Sequence, residues 1–96
     1  MKQTNKSVVG TSFHSHTVNA TDEQLKKILG KPVFSDNDGK DKVNFEWNME
    51  TIGGDVFTVY DWEEYRPIKQ DEVINWHIGG KNSSVTDAAQ TEIENA

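Results

Sequence analysis

Hydrophobic and polar residues follow different rhythms in different parts of the chain, and each rhythm predicts an element. From Val43 the apolar residues Val43, Phe45, Trp47 and Met49 alternate with Asn44, Glu46, Asn48 and Glu50. A period of two with one fully apolar side is a half-buried strand. Gly53-Gly54 follows as a tight reversal, a glycine pair suited to the positive φ of a hairpin turn. The returning segment Val56 to Trp62 is apolar on both sides except at Thr58 and Asp61, the pattern of a central, doubly covered strand. Glu63 to Gln70, containing Pro67, reads as a loop. A last strand runs from about Glu72 to Ile78 and is broken by Gly79-Gly80. In it Trp76 and Ile78 face the core, which leaves His77 on the opposite face beside Asn75.

The rhythm of a helix occurs once with full punctuation. Thr21-Asp22-Glu23-Gln24 fits a capping box, Leu25, Ile28 and Leu29 form an apolar stripe, and Gly30 and Pro32 stop the element. Upstream, Val8 to Val18 has a β-leaning composition interrupted by Gly10, an imperfect strand at a sheet edge. Downstream, Ser84 can cap a final helix in which Val85, Ala88, Ala89 and Ile93 recur at helical spacing. Residues 1–7 are short and polar and are expected to be disordered. The order β-α-β-β-β-(α) predicts an α+β domain over residues 8–80: an antiparallel meander of about four strands covered by one short helix. Residues 81–96 form a C-terminal extension with helical spacing.

Composition narrows what such a domain can do. The 96 residues hold 33% hydrophobic side chains, nine aromatics among them, so a small core depends on large side chains. Area scaling gives roughly 5,600 Å² exposed when folded against about 15,800 Å² unfolded, enough burial for one independent fold. No apolar run is long enough to span a membrane, and no secretory signal is read at the start. The absence of cysteine excludes disulfides, a thiol nucleophile and thiolate metal sites. The net charge of -6 speaks against direct nucleic-acid binding, which needs a basic face. Between Gly10 and Gly80 stand thirteen acids and seven bases, so the whole excess belongs to the domain body and not to its flanks.

Candidate chemistry is sparse. Asp36-Asn37-Asp38-Gly39-Lys40-Asp41 is acidic enough for a calcium loop, but its glycine comes too early and no glutamate stands at the twelfth position. His14 and His16 share a face if extended, with His77 as a third imidazole, yet nothing in the spacing brings His77 to them. No metal is expected. No nucleophile elbow occurs, and Asp61, Glu63 and Glu64 read as a solvated acidic edge. Neither catalytic residues nor a cofactor are expected.

Binding has more support. Trp47, Tyr60, Trp62, Tyr65 and Trp76 lie on the strands and their rim, and those at strand ends can stack on a base or a partner side chain. Gly79-Gly80-Lys81-Asn82-Ser83-Ser84 is a glycine turn whose N–H groups can receive a phosphate or carboxylate. Arg66 is the only arginine. The ligand-binding set expected from these features is Trp62, Tyr65, Arg66, Trp76, His77, Gly79, Gly80 and Lys81.

Five short motifs follow one another along the chain: Gly10-Thr11-Ser12, Gly30-Lys31-Pro32, Lys42-Val43-x-Phe45-Glu46-Trp47, Asp55-Val56-x-Thr58-Val59-Tyr60-Asp61-Trp62 and Trp76-His77-Ile78-Gly79-Gly80. Over residues 10–84 this order resembles a group of small, uncharacterised proteins of tailed bacteriophages. In that group a lysine commonly follows the tyrosine-x-tryptophan strand, whereas Glu63 stands here. The resemblance implies an accessory protein of the infected cell's cytoplasm with no settled catalytic activity. The expected role is non-enzymatic: counteracting host defence by sequestering a small nucleotide-type signalling ligand, as a homo-oligomer. The alternative is an acidic protein that inhibits a host protein directly, by nucleic-acid mimicry or otherwise.

Overall fold

Burial of Trp47 and Met49 on one side of their strand sets the layer structure. In the computed structural model, which describes residues 1–96, the elements are β1 (Lys2–Gln3), β2 (Ser12–Thr21), α1 (Asp22–Leu29), β3 (Glu46–Glu50), β4 (Val56–Tyr60), β5 (Val73–Gly80) and α2 (Ser83–Glu94). The strands form one antiparallel sheet in the order β1-β3-β4-β5-β2. The α+β class and the antiparallel sheet follow the sequence pattern; the sheet has five strands and a second helix packs on it. β4 is central, as its two-sided burial requires, and β2 is an edge strand.

The core lies on one sheet face beneath both helices. Trp47, Met49, Phe57, Val59, Ile74, Trp76, Ile78 and Val18 meet Leu25 and Leu29 of α1 and Val85, Ala89 and Ile93 of α2. The two buried indoles meet edge to face at 5.5 Å. Each donates its N–H to a backbone carbonyl, Trp47 to Gly30 at 2.8 Å and Trp76 to Ala20 at 2.9 Å, so neither indole N–H is stranded. The accessible surface, 5417 Å², is close to what chain length predicts.

Local signals placed α1 well. Thr21 accepts from the Gln24 N–H, and the Gln24 side chain accepts from the Thr21 N–H, closing the capping box. Other expectations change. The opening residues 1–7, expected to be disordered, contribute β1, which pairs with the β3 edge. Gly79 and Gly80 continue β5 instead of ending it, and α2 is capped by Asn82, not Ser84. Phe45, Trp47 and Met49 are all in the core as the alternation predicts, but the paired strand starts at Glu46 and Val43 lines the hollow on the opposite face. Of the glycine pair in the β3–β4 turn, only Gly54 has positive φ.

The second face of the sheet is partly roofed by the chain itself. Thr4 to Thr11 returns from the β1 edge towards β2, with the Thr4 hydroxyl donating to Glu50 at 2.7 Å and Lys6 Nζ to the Gly54 carbonyl at 3.0 Å. Val56 and Thr58 are buried on this side. Beyond Val8 the roof ends, and the remaining part of the face is open.

Candidate functional site

On the open part of this face, register aligns residues far apart in sequence. Glu46 of β3 pairs with Tyr60 of β4, Tyr60 with His77 of β5, and His77 with Thr17 of β2. Antiparallel pairing puts directly opposed side chains on the same side, so a carboxylate, a phenol and an imidazole form one row across the sheet. Aromatic rings surround the row. Phe13 stacks on His77 at 4.1 Å, Tyr60 meets His77 edge-on at 5.6 Å, and Trp62 lies within 24° of the His77 plane at 6.4 Å. Beside the row opens a concavity of about 340 Å³, lined by Val8, Thr11 and Ser12 on one side and Val43 and Trp62 on the other. Glu46, Thr58, Tyr60 and Gly79 also line it.

Two irregularities shape it. β2 carries a bulge between Phe13 and Thr17, with Ser15 at φ 70°. The bulge brings Phe13 over His77 while turning the neighbouring histidines to other partners. Gly79 is the second: a Cβ there would lie 2.5 Å from Thr58 Oγ1 and 3.5 Å from the Tyr60 ring. Only a residue without a side chain keeps this part of the concavity free.

The three polar heads of the row have no hydrogen-bond or ion-pair partner in the protein. The contrast with Glu50, on the same face of the same strand, is direct. Glu50 accepts from Thr4 and faces Lys2 and Lys6, and the Thr4 bond, helped by the two lysines, holds its carboxyl below the usual range. Glu46 has no such partners, and burial pushes its carboxyl up. Burial also raises the Tyr60 phenol, with the Glu46 charge adding to it, and lowers the His77 imidazole. Glu46 and Tyr60 line the hollow, and His77 stands beside them in the row.

A stability effect follows from Glu46. Its pKa is higher folded than unfolded, so ionisation opposes folding, and that cost grows as pH rises above the ordinary carboxylate range. Glu46→Gln should therefore be more stable than the wild type at neutral pH. The gain should vanish in acid, where both states of the wild type are protonated. Thermal melts of both proteins at neutral and acid pH check this; a stability loss at neutral pH would show that the carboxylate has a partner.

Of the expected ligand-binding residues, Trp62, His77 and Gly79 come together here. Trp76 does not: it is fully buried on the other face. Gly80 faces α2, where a Cβ would lie 2.8 Å from Thr86 Cγ2. Lys81 lines a separate cleft with Lys6 and Asn82. Tyr65 is 53% exposed in the loop after Trp62, and Arg66 is bound to Glu72 at 2.8 Å and faces Glu64. The expected acidic edge is also corrected: Asp61 is buried and accepts from the Asn44 and Phe45 N–H groups and from the Asn44 amide. Phe13, Glu46, Thr58 and Tyr60 belong to the site and were not expected there. The signal that finds them is cross-strand register, which a one-dimensional pattern does not carry.

The histidines go to separate places. His14 Nε2 lies 3.1 Å from the Gly80 carbonyl and 3.3 Å from Ser12 Oγ, while His16 Nδ1 contacts Thr86 Oγ1 at 2.6 Å. A nitrogen donating to the Gly80 carbonyl carries a proton and cannot act as base for Ser12. No three His, Cys, Asp or Glu side chains converge as metal ligands. Asn37, in the loop that superficially suits calcium, is committed to the Ile68 backbone at 2.8 and 2.7 Å. No helix is long and apolar enough to cross a membrane. No family model, curated protein or solved structure matches the chain.

Proposed function

We propose that this protein is a non-enzymatic binding module that holds its ligand on the open aromatic face of the sheet. The observation that carries the reading is the row Glu46, Tyr60 and His77: three polar heads without protein partners, set among Phe13 and Trp62. Set together among rings and left without protein partners, these heads are free to pair with a ligand. The motif order described above supports the setting, a bacteriophage accessory protein acting in the host cytoplasm against host defence.

Two ligand classes suit stacking rings: a nucleotide-type signalling molecule, sequestered, or a host protein, inhibited directly. Charge favours the second. The cation near the rings is Lys42, already 5.5 Å above Trp62, whereas Glu46 is an unpaired acceptor in an acidic domain. Phosphates would meet repulsion where a basic or donor-rich partner meets attraction.

Native mass spectrometry of the protein recovered from infected cells, beside its Trp62→Ala variant, tests the reading. The wild type should carry a small-molecule adduct or a protein partner, which the variant loses while keeping its fold to within about 1 kcal/mol. The same spectrum reads whether the chain forms a homo-oligomer. An equal complement on both proteins would remove the open face from the function.

A further inference from the structure

The unpartnered carboxylate permits a narrower statement, which rests on the reading of the open face as a binding surface. Glu46, when ionised, is an acceptor with two oxygens and no donor. It lines a hollow whose other walls are mainly ring edges, methyl groups and hydroxyls. A ligand that fits must bring donors to the carboxylate, be flat enough to lie against rings, and lose little on leaving water. A guanidinium meets all three conditions: its N–H groups pair bidentately with a carboxylate, it stacks on aromatic faces, and it is more weakly hydrated than an ammonium.

The surroundings decide the source of that group. Trp62, 42% exposed, lines the hollow with Val8 and Val43, and the equally exposed Phe13 stacks on the neighbouring His77. That apolar rim is wider than one guanidinium requires and suits the chain around an arginine side chain. The whole net charge of -6 resides between Gly10 and Gly80, which favours a basic partner and opposes a phosphorylated one. We propose that the concavity receives an arginine side chain of a partner protein, with Glu46 accepting its paired N–H groups and the Trp62 and Tyr60 rings flanking it.

The test uses the full chain and short capped peptides, Gly-Arg-Gly and its citrulline and lysine counterparts, with guanosine monophosphate as a fourth probe. The readout is the Trp62 indole N–H in NMR spectra. Citrulline keeps the shape but loses the charge, and lysine keeps the charge but loses the plane. The arginine peptide should shift the signal with a dissociation constant on the order of 1 mM, about tenfold tighter than either counterpart. Glu46→Gln should weaken it about tenfold, the worth of one charge-assisted pair, with Glu46→Asp as a second variant that keeps the charge and shortens its reach. Equal binding of the three peptides, or arginine binding untouched in Glu46→Gln, overturns the proposal. If guanosine monophosphate binds more tightly than arginine through Trp62 and Glu46, the seat reads a base and the arginine assignment is wrong, while the binding face stands. If no probe moves the indole at tens of millimolar, both the assignment and its premise fall.

Discussion

Replacing Trp76 with alanine should destabilise the protein by about 3–5 kcal/mol, the range for emptying a large aromatic site in a core. The indole is fully buried, meets Trp47 edge to face at 5.5 Å and lies 6.3 Å from Phe45. Its N–H holds the Ala20 carbonyl at 2.9 Å, so truncation removes packing and strands an acceptor at once. Against a total of about 5–15 kcal/mol for a typical domain, such a loss leaves little reserve. In a domain of this size the melting temperature should fall by roughly 20 °C. Trp62→Ala is the control, because that ring is 42% exposed on the opposite face; its stability should change by about 1 kcal/mol or less. Thermal and urea unfolding of both variants checks the contrast. A Trp76→Ala protein that melts within a few degrees of wild type but loses its ligand would return Trp76 to the binding face.

The two tryptophans also mark what can be read along a chain. Period two at Trp47-Met49 and at Trp76-Ile78 gave the buried sides of β3 and β5 and put His77 opposite them, because that inference needs only alternation. The capping box at Thr21 and Gln24 was readable for the same reason: its bonds close within four residues. Gly79 and Gly80 suggest a turn along the chain, because a glycine pair looks alike at a strand's end and where neighbours crowd it. Here Thr58 and Tyr60 on one side, and Thr86 and Val85 on the other, occupy the space of the missing side chains. β1, two residues long, has no pattern at all and exists because the β3 edge accepts it. Glu46 and Tyr60 read as one polar and one apolar strand position. Only pairing across β3, β4 and β5 makes them neighbours of His77, and that pairing is set by turns and bulges outside each strand.

Asp61→Ala should cost about as much as the Trp76 change, about 3–5 kcal/mol, for a polar reason rather than an apolar one. The Asp61 carboxylate is 0% exposed and accepts three bonds: the Asn44 and Phe45 N–H groups at 2.8 Å each and the Asn44 amide at 3.0 Å. Asn44 in turn donates to the Arg66 carbonyl at 2.9 Å and accepts from the Gly39 N–H at 3.0 Å. Alanine would leave the Asn44 and Phe45 backbone N–H groups unpaired, and the Asn44 amide with only its bond to Arg66, and so loosen two loops together, 36–44 and 61–68. Those loops carry strain that the network must hold. Glu63 and Tyr65 have φ of 54° and 51°, a left-handed conformation that costs non-glycine residues on the order of 1–3 kcal/mol each. Gly39, at φ 74°, lies so close to the Arg66 backbone that a Cβ would clash at 2.5 Å. Asp61→Asn should lose less, about 1–2 kcal/mol, since one oxygen can still accept from both N–H groups while its own amide opposes that of Asn44. The consequence reaches the open face, because the Lys42 carbonyl accepts from the Glu63 N–H at 2.8 Å and the two loops set Val43 beside Trp62. Asp61→Asn should therefore remain folded, be cut faster by protease within 36–44 and 61–68, and bind the arginine peptide more weakly than its stability loss alone requires. Urea unfolding, limited proteolysis and the indole titration measure the three effects separately. Wild-type stability in Asp61→Ala would mean that the carboxylate is solvated and that the rim is held by other contacts.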